Sequence, residues 1–175
     1  FWVFPYPAGT PKHIKAAGYM FADGSWFPDS RRFLVMPPLG DGLDVIDVTN
    51  GERRAIYRTI GITLNPSVSP DGKRIAFAAG TNEWDVMEID LPSGAVRTVV
   101  NGGGVSVFPD WAPSGTHFLL TVWRHGSMSI EDRSPAEGFA KRLVEAGRPE
   151  DTITQARWSP DGSRTVFVST RRGPS

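Results

Sequence analysis

The chain has 175 residues, 19 of them glycine and 15 proline, which leaves little room for long helices. Lysine plus arginine total 19 and aspartate plus glutamate total 19, so there is no net basic field to dominate binding to phosphates or anionic lipid. The absence of cysteine excludes disulfides, thiolate nucleophiles and cysteine-ligated metals, while 39% hydrophobic and 11% aromatic residues suffice for a core.

Phe1 to Tyr6 and the segment near His13 read as two short strands. The chain opens inside the first of them without an initiator Met, so a segment of a longer protein is expected. The next element carries Trp26-Phe27-Pro28-Asp29-Ser30, followed by a basic pair and the apolar run Phe33-Leu34-Val35. Period-two alternation in Leu43 to Val48, closed by Asn50-Gly51, marks a further strand.

The same order then returns. Val68-Ser69-Pro70-Asp71-Gly72 precedes Ile75-Ala76-Phe77, and Asp85 to Leu91 alternates before Ser93-Gly94 and Val96 to Val100. Trp111-Ala112-Pro113-Ser114-Gly115 precedes Phe118-Leu119-Leu120, and Trp158-Ser159-Pro160-Asp161-Gly162 precedes Val166-Phe167-Val168. The four prolines stand 42, 43 and 47 residues apart. Proline presets φ and the Asp-Gly step supplies positive φ, so each motif predicts a tight turn between antiparallel strands.

Four short strands, A to D, in every 40 to 45 residues describe a propeller blade, with the recurring aromatics filling the space between blades. The expected fold is therefore an all-β propeller, in four-stranded antiparallel sheets. It holds about four blades' worth: a partial blade at 1–15, blades at about 18–60, 62–101 and 104–145, and a partial blade at 150–175. An open arc of a six- to eight-bladed ring is favoured over closure as four blades. Such an arc exposes strand edges and blade faces that favour self-association. Pro135 to Gly147 has some helical periodicity, but the register places Lys141 to Val144 in strand D, and Gly138 opposes a helix.

Trp158 to Gly162 and Ser69 to Phe77 carry the pattern W-S-P-D-G-x-x-I-x-F. In this they resemble the WD-repeat-like propeller repeat of the bacterial TolB family, and the likeness extends along the whole chain at the level of blades. Trp26 to Arg32 and Pro66 to Phe77 further resemble propellers fused behind bacterial serine/threonine kinase or winged-helix DNA-binding domains. Ser30, Ser114 and Val68 depart from the usual Gly, Asp and Trp. The resemblance implies a rigid scaffold for binding proteins, peptides or small ligands, and some relatives carry a hydrolase or kinase domain beside the propeller.

Chemistry-bearing residues are few. The histidines are His13, His117 and His125, without metal-ligand spacing around them. His117 is read as a strand-start surface residue, and Asp44 and Asp47, with Asp41, as a solvated strand edge. Ser127 or Ser129 with His125 and Asp132 lacks the G-x-S-x-G elbow of a nucleophile. Gly102-Gly103-Gly104 lacks the lysine of a phosphate loop and reads as an interblade turn. Trp26, Trp111 and Trp158 recur in register and are assigned to blade packing.

The expected function is a non-catalytic interaction or sensor module, with no cofactor and no catalytic or metal-ligating residues. The alternative is the gating propeller of a prolyl-oligopeptidase-type serine peptidase, and a third reading is a metal-assisted lyase or lactonase. Loops joining B to C and D to the next A vary freely on a rigid scaffold. They carry Glu83, Trp84, Arg124, His125, Arg171 and Arg172 as candidate partner-binding residues. A protein or peptide partner or a small ligand is expected, without nucleic acid. Membrane insertion is not expected, because the apolar runs fall far short of the roughly 20 residues a spanning helix needs. A soluble protein is expected; the resemblance implies a bacterial source, and the compartment stays open between periplasm and cytoplasm.

Overall fold

The computed structural model describes residues 2–15, 23–81, 83–101, 103–134, 136, 139–148 and 150–171. Those residues form sixteen strands and no helix. β1 (Trp2–Val3) and β2 (Lys12–His13) pair with each other. β3 (Gly24–Trp26), β4 (Arg32–Val35), β5 (Gly42–Asp47) and β6 (Arg53–Arg58) form the first four-stranded antiparallel sheet in sequential order. β7 (Ile62–Val68), β8 (Arg74–Gly80), β9 (Trp84–Asp90) and β10 (Val96–Val100) form the second. β11 (Val105–Trp111), β12 (Phe118–Arg124), β13 (Ser127–Ser134) and β14 (Phe139–Glu145) form the third, and β15 (Ile153–Trp158) pairs with β16 (Thr165–Ser169). The strand β14 occupies the stretch with helical periodicity, as the repeat register requires.

Burial explains the strand compositions. β8 reads Arg-Ile-Ala-Phe-Ala-Ala-Gly because it is central in its sheet and covered on both faces; Ile75 to Ala78 are all buried. The outer strand β6 is polar and arginine-rich, as an unpaired edge demands. The apolar cores lie between blades. Phe27, Leu34 and Leu43 of the first blade pack with Ile75, Phe77 and Ile89 of the second. Ala76 and Val86 pack with Trp111, Phe118 and Leu120, and Leu119 and Ile130 with Ala156.

The Pro-Asp-Gly turns share one geometry. In the second blade Ser69 N–H donates to Arg74 O and Gly72 N–H to Ser69 O, both at 2.8 Å, with Gly72 at φ 68°. Ser69 Oγ donates to Asp71 Oδ1 at 2.6 Å and accepts from Arg74 N at 2.9 Å. The turn at Ser159 to Arg164 repeats these bonds atom for atom. Ser30 takes the glycine position with φ 54°, held by Asp29, which accepts the Arg31 and Arg32 amides. Each turn also meets its neighbour: a Cβ on Gly72 would lie 3.2 Å from Pro28 Cδ, and one on Gly162 3.7 Å from Pro113 Cδ.

These turns set an acid dependence. Backbone amides of Arg32 and Arg31 hold the Asp29 carboxyl down to about 2, and the Ser159 hydroxyl and Ser163 amide hold Asp161 at about 2. A carboxyl depressed in the folded state stabilises above its unfolded pKa of about 3.9, and that contribution is lost as pH falls through the folded value. Asp161→Ala is therefore expected to lower the thermal midpoint at pH 6, with the difference from wild type shrinking as pH falls from about 4 to about 2. A difference that stays constant over that window would contradict it.

Inner strands add a second lock. Asn65, Phe108 and Gln155 adopt left-handed φ of 51°, 57° and 56°, and each sits in a bulge of β7, β11 or β15. Two residues after Asn65 and Phe108 a side chain accepts an amide of the following blade, and Ser25 of the regular strand β3 does the same. Ser25 Oγ accepts Val68 N–H at 3.1 Å, Ser67 Oγ accepts Trp111 N–H at 3.5 Å, and Asp110 Oδ2 accepts Trp158 N–H at 2.8 Å.

Two local expectations fail. Asp44 is not on a solvated edge: it is fully buried, bonded by Arg58 at 2.6 Å and facing Arg53 at 3.5 Å. Alternation misled here because both faces of an inner blade strand are covered. His117 is not a free surface residue either, since its Nδ1 lies 2.6 Å from Asp132 Oδ1. Trp26 packs on Phe33 at 5.0 Å yet stays 48% exposed, whereas Trp111 is buried.

Candidate interaction face

The B-to-C and D-to-A connections meet on the side opposite the Pro-Asp-Gly turns. Antiparallel alternation puts them there, because strands A and C leave from the end at which B and D arrive. Hydrogen bonds tie the connections of neighbouring blades at two junctions. Thr63 N–H donates to Gly40 O at 2.8 Å, and its hydroxyl donates to Gly42 O at 2.7 Å. Trp84 N–H donates to Gly104 O at 3.3 Å, and Trp84 bridges Val105 in parallel. Within the last half-blade, Thr170 N–H donates to Thr152 O at 3.0 Å, continuing the β15–β16 pair. The scaffold beneath the loops is thus fixed while the side chains above it differ from blade to blade.

At the first junction the surface is aliphatic. Met36, Pro37, Pro38, Leu39, Ile62 and Leu64 line a cavity of about 390 Å³; Leu39 is largely exposed and Ile60 fully so. At the second, Glu83 is exposed in the tight connection from Gly80 to Trp84, and Trp84 is half-buried as the first residue of β9. At the third, β12 and β13 are joined by a two-residue turn in which His125 has φ 50° and Gly126 φ 78°. Positive φ at both positions matches the twist of the strands, so His125 is held in this turn by backbone geometry as well as displayed by it. Arg124 ends β12 half-buried, with a buried Nε that makes no hydrogen bond among the described residues. On the last half-blade, Arg171 is exposed and shares a polar cavity of about 800 Å³ with Arg148, Glu150 and Asp151 of the connection entering it. Arg172 lies outside the described residues.

Glu83, Trp84, Arg124, His125 and Arg171 therefore fall on connections of one face but on three different blades. The solvent-facing indole beside Arg124 is Trp123, 50% exposed, which the sequence hid inside an apolar run. Leu39, Ile60 and Ile62 were also missed; Pro37-Pro38-Leu39-Gly40, an apolar stretch bounded by turn residues, was the available signal. Among the described residues no three His, Asp or Glu side chains are grouped to hold a metal ion.

The family model described as PD40, TolB beta propeller domain, matches residues 41–175. The TolB homolog of Chlorobium luteolum is 32% identical over 123 residues, covering 70% of this chain and 27% of its own length. The Tol-Pal system protein TolB of Alcanivorax borkumensis is 29% identical over 86 residues, covering 48% of this chain and 20% of its own. The chain thus spans about a quarter of the length of these relatives. The crystal structure of TolB from Acinetobacter baumannii superposes with a TM-score of 0.81 at 24% identity, over 99% of this chain and 43% of that one. A prolyl endopeptidase shares the fold at a TM-score of 0.59 and 20% identity, over 78% of this chain and 24% of its own.

Proposed function

Because the chain belongs to the TolB beta propeller domain family, we propose that it is a non-catalytic interaction module whose B-to-C and D-to-A loop face binds a protein partner. One contrast carries this reading. The Pro-Asp-Gly face is consumed by hydrogen bonds internal to the turns and by turn-to-turn packing, whereas the opposite face presents side chains that the repeat does not use. There, aliphatic Leu39, Ile60 and Ile62, the indole of Trp123 and the guanidinium of Arg171 stand over a rigid hydrogen-bonded frame. Aromatic and arginine anchors on a fixed scaffold are the composition of interface hot spots.

The name of the Alcanivorax borkumensis relative places it in a Tol-Pal system, which makes purified Pal the first probe. Trp123→Ala with Arg171→Ala is the informative variant, because both side chains are solvent-facing and surface changes usually alter stability by about 0.5 kcal/mol or less. The thermal midpoint is expected to stay within a few degrees of wild type. Pal binding, read by calorimetry, is expected to weaken by about tenfold or more. Unchanged binding with an intact fold would remove this face from the reading. The gating alternative makes a separate demand, a G-x-S-x-G elbow in the polypeptide that follows residue 175.

A further inference from the structure

One contact between blades recurs in two chemical forms. In the second blade the Arg74 guanidinium lies 4.5 Å above the ring of Trp111 in the third, and faces Glu88 of its own blade at 3.8 Å. It also donates to Gly115 O across the same junction. One blade later His117 occupies the arginine position. Its ring stands edge-on to Trp158 of the next half-blade, with centroids 5.5 Å apart, and its Nδ1 is 2.6 Å from Asp132 Oδ1. Glu88 and Asp132 are equivalent, since Glu88 is cross-strand from Ala76 and Asp132 from Leu119, two residues after the respective basic group.

The first blade shows that the three groups belong together. There Val68 replaces the tryptophan and Val45, cross-strand from Leu34, replaces the carboxylate. The remaining Arg32 turns back to Asp29 at 2.5 Å and stacks on Phe27 at 4.3 Å. Cation, carboxylate and indole are present as a set in two junctions, and where two members are lost the third finds other partners.

We infer that His117, Asp132 and Trp158 form a proton-dependent latch that holds the β15–β16 half-blade against the third blade. Arginine keeps its charge at all ordinary pH values, so the Arg74 junction is permanently charged. Histidine alone changes charge near neutrality. The imidazolium makes an ion pair with Asp132 and presents a cation to the Trp158 ring, whereas the neutral ring keeps a weaker hydrogen bond and loses the cation–π attraction. The latch therefore tightens as pH falls through the histidine range and loosens as it rises.

The other charged groups at this junction do not share that behaviour. On β13, Glu131 is paired with Arg133 at 2.5 Å, and on β14 Lys141 is cross-strand from Asp132 and exposed. On β15, Arg157 faces Asp110 of β11 at 3.8 Å, and in the turn beyond it Asp161 is held by Ser159 and Ser163, with Arg164 exposed. Burial pushes the Asp110 carboxyl up from its usual value. Its protonation would weaken the bond from Trp158 N–H on acidification, opposite in sign to the latch.

Hydrogen exchange on the full chain tests this, comparing β15–β16 amides with those of β7–β8 at about pH 5.5 and about pH 8, either side of the ordinary histidine pKa of about 6.5. After correction for intrinsic exchange, β15–β16 are expected to exchange about fivefold faster at the higher pH, with β7–β8 unchanged. His117→Arg is expected to flatten the difference by keeping the junction protected at both pH values, and His117→Asn by leaving it open at both. A flat or inverted wild-type response, or a pH response that persists in His117→Arg, would overturn the latch.

Discussion

Phe77→Ala is expected to be the most destabilising single substitution in the second blade, lowering unfolding free energy by about 3–5 kcal/mol. Phe77 is completely buried on β8, the central strand facing the first blade, and its ring packs on Tyr57 at 5.0 Å. Leu34, Leu43 and Ile89 belong to the same cluster. Truncation removes the contacts of a whole ring and leaves a cavity bounded by two hydrogen-bonded sheets, which have little freedom to collapse into it. Urea denaturation should show a lower midpoint with an unchanged slope. A loss below about 1 kcal/mol would mean that the blades do not meet at this ring.

Trp111→Ala is expected to cost a similar amount, about 3–5 kcal/mol, for a different reason. Its indole closes the second junction from the side of the third blade. It is 5% exposed, contacts Phe118 edge-on at 5.3 Å, and carries the Arg74 guanidinium on its face. Alanine removes both the core filler and the cation's partner, so hydrogen exchange should accelerate across β8 and β11 together. Loss of protection confined to β11 and β12 would show that the indole serves its own blade alone.

How far the sequence reveals this molecule depends on which physical rule each residue obeys. Turns are legible because Ser69-Pro70-Asp71-Gly72 and Ser159-Pro160-Asp161-Gly162 satisfy their own hydrogen bonds locally, so the motif alone determines the geometry. The strands follow, since the apolar runs between such turns have nowhere else to go. The apolar filling of the junctions was legible in part, since Trp111 packs between blades as its recurrence implied, but the hydrogen bonds between blades were not. That Ser25, Ser67 and Asp110 each receive an amide from the next blade, the latter two after bulges in β7 and β11, is announced by no local pattern.

Asp44 misled for the same reason. Strict alternation with apolar neighbours signals a strand with one wet face, but a blade is covered on both sides, and two arginines from β6 reach in to satisfy the carboxylate. The loop face was legible as a location and less so as a set of side chains. Trp84 stands out in the sequence because it does not recur, yet its position as the first residue of β9 half-buries it, while Trp123, inside an apolar run, emerges into solvent.

The measurement that bears most directly on the proposed function is amide exchange of the full chain with and without saturating Pal. New protection is expected in the connections around Leu39 to Asp41, Ile60 to Ile62, Arg124 to Gly126 and Thr170 to Arg171, with the turns at Asp29, Asp71, Ser114 and Asp161 unchanged. Protection concentrated on those four turns, or no binding at all, would contradict it.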